Sequence, residues 1–145
     1  MARTGRNISG FAREQRGGAA VEFALVLPVA LLFLCGLLAY GIYFGAAHSV
    51  QQLAADAARA SVSGLSDAER GAIATQHVAA SGASYPFLRP NRLSVSAQAL
   101  ESDPSQFAVR VAFDSEDLPI WALAGLVPLP DKTIARVAII KRGGY

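Results

Sequence analysis

Between Phe23 and Ala47 the chain carries no charged side chain. The run is about 25 residues long, and about 20 helical residues at ~1.5 Å rise each cross a bilayer core. No other stretch limits the fold as much. A segment this long and apolar satisfies its backbone as a helix and seeks lipid or a helix bundle. One carboxylate, Glu22, lies just inside the N-terminal edge of the run, and Gly17-Gly18 lies just before it. An acid at the mouth of a membrane helix is costly, so it is read first as a functional feature.

The charge balance says which end stays behind. Before Gly17 there are Arg3, Arg6, Arg13 and Arg16 against Glu14, and from Ala46 onward nine basic residues balance nine acidic ones. The basic pI therefore belongs to the N-terminal tail. No basic face is left for nucleic acid. The positive-inside rule keeps the tail in the cytoplasm and sends the C-terminal part across. Cys35 is the one cysteine and lies in the apolar run, which excludes a disulfide framework and reads as a small hydrophobe.

A cleaved secretory signal is the alternative reading of the run, with Gly45-Ala46-Ala47 as its cleavage site. The apolar core of such a signal is only about 7–15 residues long, so an uncleaved span is the reading adopted. Pro28 lies inside it; a membrane helix tolerates proline where neighbours or local adjustments satisfy the freed carbonyl. Gly41 and Gly45 form a GxxxG, a spacing that lets two helix backbones approach closely.

The stretch RGGAAVEFALVLPVALLFL resembles the N-terminus of the TadE-like pseudopilins, membrane proteins of tight-adherence (Flp-type) pilus systems. The pattern is a basic leader, a glycine (Gly17), four residues, Glu22, the aromatic Phe23 and an apolar helix. The resemblance implies cleavage after Gly17 by a prepilin peptidase, leaving Gly18 as the new N-terminus. Cleavage after Gly18 ranks second, because it puts Glu22 one place early. It further implies the inner membrane, other pilins or pseudopilins and the pilus assembly platform as partners. Val50 to Ser63 resembles the small-residue helix that follows the span in that family. The physical case for Glu22 stands beside this: a carboxylate in low dielectric must be paired or it protonates. Arg16 is near in sequence before a cut, and a Gly18 ammonium, its own or a neighbour's, is available after one.

Past the span, Val50, Leu53, Ala54, Ala57, Ala58 and Val62 keep helical spacing, so the helix continues to about Ser63 and Gly64 ends it. Ser66-Asp67-Ala68-Glu69 is a capping box for a second helix over Asp67–Ala80, with Ile73, His77 and Val78 on its packing face and Gly82 stopping it. Pro86 and Pro90 mark an irregular connection, with Tyr85, Phe87 and Leu88 packing back. Alternation then predicts strands at Leu93–Ala99, Phe107–Phe113 and Thr133–Lys141, the last with Ile134, Val137, Ile139 and Ile140 as its apolar positions. The fold class is α+β: a long transmembrane and stalk helix, then a small pilin-like head with a second helix and a three-stranded antiparallel sheet. The expected organisation is a leader over 1–17, a transmembrane helix over 18–47, its continuation over 48–64 and the head over 65–145.

Leu118–Pro130 is too apolar for an ordinary loop and too short to span a membrane. It reads as a short core helix, or as an exposed patch of Ile120, Trp121 and Leu123 for a partner or the membrane surface. The acids Asp114, Glu116 and Asp117 lack a calcium-loop pattern and read as a solvated turn. His48 and His77 read as structural. No phosphate loop, HExxH, CxxC pair or GxSxG is present. The reading is thus of a non-enzyme without cofactor, metal or small-molecule substrate. Two rivals stand beside the processed pseudopilin: an unprocessed membrane-anchored binding or scaffold module of an envelope or secretion complex, and a small hydrolase built from His77 and the three acids.

Overall fold

The structure, a computed structural model, describes residues 11–141, with side chains from Gly17 onward. The chain divides into two compact units, one ending at Leu38 and the other beginning at Ala39. Helix α1, Phe11–Ser61, supplies residues to both and runs without interruption past Pro28.

In the first unit the helix exposes its apolar side chains. Val21, Phe23, Leu25, Val29 and Phe33 are all open, with Phe33 78% exposed. An apolar surface this continuous is not sustained in water. Within Gly17–Ser61 the most hydropathic window buries none of its residues inside the chain, and this is the one described helix long and apolar enough to cross a membrane.

The second unit builds its core on the other half of the same helix. Ala39, Tyr43, Ala46, Val50, Leu53 and Ala57 recur three or four residues apart and form one buried stripe. Small residues dominate it, so the facing layer approaches the backbone closely. Helix α2, Asp67–Ser81, adds Ala74 and Val78 to that core. Its capping box is present in a shifted form. Ser66 accepts from the Glu69 backbone N–H at 3.2 Å, while the Glu69 carboxylate reaches back to the N–H of Leu65 at 2.8 Å. The helix stops at Gly82 without a left-handed turn, at φ −56°. A Cβ there would lie 2.7 Å from Leu93 Cδ1, the end of a flexible side chain that would have to turn aside.

Strands β1 (Leu93–Ala99), β2 (Gln106–Asp114) and β3 (Thr133–Lys141) form an antiparallel sheet in that order. The register sets Leu93, Phe113 and Ile134 side by side, and likewise Ala97, Val109 and Ala138. Phe107, Val109, Val111 and Phe113 are buried on the inner face. Each such side chain contributes about 1.5–3 kcal/mol relative to exposure. The apolar positions of β3 divide between two faces. Period two turns Ile134 and Ile140 inward, whereas Val137 and Ile139 are exposed on the outer face. The result is α+β, a long apolar helix, a second helix and a three-stranded antiparallel sheet.

Candidate functional site

The N-terminal motif lies on α1. Gly17, Gly18, Glu22 and Phe23 are exposed, Phe23 by 64%. Gly18 and Glu22 are four residues apart, about 6 Å along the axis and within about 40° of one another around it. Among the described residues a Cβ on Gly17, Gly18 or Gly41 would meet nothing within 4 Å, so packing among them requires none of these glycines. Among the described residues Glu22 takes part in no ion pair. The leader through Gly10 and the Arg16 side chain, its expected partner before cleavage, lie outside the described residues and side chains.

Gly45, the second glycine of the GxxxG, behaves differently. A Cβ there would fall 2.7 Å from Phe87 Cε2. Phe87 holds a left-handed backbone at φ 66°, which is strained for a phenylalanine. The Gly45 notch is thus filled by the chain's own ring, and Gly41 alone remains open.

The apolar segment after β2 proves to have two halves. Pro119–Leu123 winds into a short 3₁₀ helix, and this brings Ile120 and Leu123 into the core, fully and almost fully buried. Trp121 is half-buried, donates from Nε1 to the Ser115 carbonyl at 2.6 Å, and has the Lys132 ammonium 5.6 Å from its ring centre. Ile120 and Leu123 are therefore core residues and not an exposed patch. The open apolar side chains come later, at Leu126 and Val127. Two tyrosines of α1 hold the end of this segment. The Tyr40 hydroxyl donates to the Pro128 carbonyl, and that of Tyr43 donates to the Asp131 carbonyl at 2.9 Å. Both lie near the end of the apolar run, but their partners are 88 residues away and no local pattern announces them.

The acidic turn is not simply solvated. Arg92 reaches Asp114 at 2.7 Å, Asp117 at 2.9 Å and Glu116 at 3.6 Å, and Arg89 adds a second contact to Asp117 at 2.8 Å. The Glu116 backbone N–H and then Arg92 hold the Asp114 carboxyl below its usual range. These carboxylates are taken up by the chain's own cations. His77 lies elsewhere, on α2 and close enough to Asp56 to act on its charge, so the hydrolase constellation is not assembled. Among the described residues no three His, Cys, Asp or Glu side chains are grouped to hold a metal ion. A shallow hollow of about 330 Å³ beside β1 is lined by Gln98, Ala99, Leu100, Glu101, Ser102 and Ala108, among which Glu101 is the one titratable side chain.

The model of the family described as TadE-like protein matches residues 17–59, from the glycine pair through most of α1. The resemblance read from the sequence holds over that segment, and the family is structural rather than enzymatic. No curated protein and no solved structure matches the chain.

Proposed function

We propose that this chain, TadE-like from Gly17 to Arg59, is a pseudopilin: a minor structural subunit in the assembly of a tight-adherence pilus. It is made with a basic cytoplasmic leader over 1–17, which a prepilin peptidase removes after Gly17. Residues 18–47 span the bacterial inner membrane, 48–64 continue the helix, and 65–145 form a head on the periplasmic side. Its partners are the inner membrane, the peptidase, other pilins or pseudopilins and the assembly platform.

The observation that carries this reading is Glu22. It is an exposed carboxylate at the mouth of a charge-free run, with no ion-pair partner among the described residues. A buried carboxylate needs a cation, and cleavage after Gly17 creates one about one turn from it. In a bundle of such helices, pairing with a neighbour's amine fixes an axial offset near 6 Å, four residues at ~1.5 Å each. Gly17 and Gly18 support the same reading, because a Cβ on either would meet nothing within 4 Å among the described residues. The match beginning at Gly17 supports it independently.

Mass spectrometry of the mature N-terminus, from cells with and without the cognate peptidase, tests the proposal. The expected chain begins at Gly18 only where the peptidase is present. An intact Met1 in the working complex, or a start at His48, overturns it.

A further inference from the structure

The head carries exposed apolar side chains at one level of α1. Phe44 is 63% exposed, and its ring packs edge-on against Tyr43 and tilted against Tyr40, with centroids 6.0 and 6.2 Å away. At ~100° per residue, Tyr40, Tyr43 and Phe44 share one side of the helix, and Gly45 points about 100° further round from Phe44. The tyrosine side holds the loop through Pro128 and Asp131, and beside that anchor Leu126 and Val127 are 63% and 37% exposed. Gly125, at φ 84°, gives the loop its turn. The Gly45 side carries Phe87, 50% exposed.

Three separate parts of the chain thus bring apolar side chains to a band one or two turns tall. The band coincides with the last turns of the charge-free run, and α1 carries no Asp, Glu, Lys or Arg between Phe23 and Ala55. The Tyr40 and Tyr43 hydroxyls at this level donate to the Pro128 and Asp131 carbonyls, so the side chains the band turns outward are apolar. Phe44 itself lies inside the charge-free run read as a membrane span, three residues before its end at Ala47, and this decides the occupant of the band.

We propose that this band is a membrane footing: Phe44, Phe87, Leu126 and Val127 insert into the lipid interface, and the head stands on the bilayer while the subunit awaits assembly. The proposal rests on the reading of α1 as a membrane span, and the test separates the two. In a Cys35→Ser background, single cysteines are introduced by Leu126→Cys, Phe44→Cys, Leu31→Cys and Ile139→Cys and carry a nitroxide label. Each full-length protein is reconstituted in mixed phosphatidylethanolamine–phosphatidylglycerol vesicles. The accessibility of each label to oxygen, which favours lipid, is compared with that to a water-soluble nickel complex.

The expected oxygen-to-nickel ratio is highest at 31. At 126 and 44 it is several-fold above the value at 139, which lies on the open face of the sheet. A ratio at 126 equal to that at 139, with 31 still in lipid, overturns the footing and leaves the span intact. A label at 126 shielded from both reagents means a protein partner and also overturns it. A nickel-accessible label at 31 overturns both readings.

Discussion

Tyr85→Phe removes a single oxygen from the joint between α1 and the segment carrying Phe87. Tyr85 follows the short 3₁₀ turn Gly82–Ser84, and its hydroxyl donates to Asp56 Oδ2, while Arg59 holds the other carboxylate oxygen. Burial, and then the bond to the carboxylate, pushes the phenol up from 10.0 to about 12. A hydrogen bond to a charged group contributes about 1.5–3 kcal/mol. Asp56 is 34% exposed in its side chain and keeps Arg59, so water replaces part of the loss. The expected cost at pH 8 is about 1–2 kcal/mol.

The alkaline limb gives the sharper signature. Below pH 10 both folded and unfolded chains hold the Tyr85 proton, and the contribution is complete. Between pH 10 and about 12 the unfolded chain releases it while the folded chain keeps it, so stability falls as pH rises. On the acid side Asp56 is held below its usual range by the Tyr85 hydroxyl first and Arg59 second. Its contribution is present above the ordinary carboxylate range and is lost as pH falls through the lowered folded value. Tyr85→Phe should flatten both limbs. Urea unfolding of the full chain in detergent, followed by circular dichroism at several pH values, reads this directly, and the 295 nm difference spectrum between wild type and variant should titrate near pH 12. If the variant matches wild-type stability at pH 8 and keeps the same alkaline decline, the joint has been misread.

Ile120→Ala should cost about 2–5 kcal/mol in the same unfolding assay, because the side chain is fully buried, whereas Leu126→Ala should stay within about 0.5 kcal/mol of wild type. Equal effects would mean that the two halves of the apolar segment are not distinguished by burial. Gly64→Ala should destabilise the head by about 1–3 kcal/mol, since its Cβ would lie 2.8 Å from the Arg70 backbone nitrogen; a neutral result in thermal unfolding would show that the corner opens freely. Glu22→Gln should leave the head's melting unchanged and abolish incorporation into pilus fractions on immunoblots, because breaking a buried pair costs about 3–5 kcal/mol per contact. Normal incorporation would remove the acid–amine account.

What could be read from the chain was whatever repeats locally. The charge-free run, the Ser66–Glu69 cap and the period-two strands each carry their pattern within a few residues, and all three are present. What could not be read was direction and distance. Apolarity marked Ile120, Trp121 and Leu123 but did not say that the 3₁₀ turn after Pro119 brings Ile120 and Leu123 inward. The GxxxG spacing did not reveal that Phe87 occupies the Gly45 notch from 42 residues further along the chain. Arg92 carried no motif, yet it gathers three carboxylates contributed by the end of β2 and the turn that follows. The Tyr40 and Tyr43 tethers depend on a fold already formed, because each reaches a backbone carbonyl of no distinctive sequence.

The buried stripe of α1 begins at Ala39, well inside the oily run. Anyone seeking a water-soluble fragment therefore meets a conflict. A start at His48 discards Ala39, Tyr43, Ala46 and Ala47 from the interior, together with both tyrosine hydroxyls that fasten the last loop. A start at Ala39 keeps them but leaves the exposed Phe44 bare to solvent. Anchor and head draw on the same turns of helix, so neither can be trimmed away cleanly from the other.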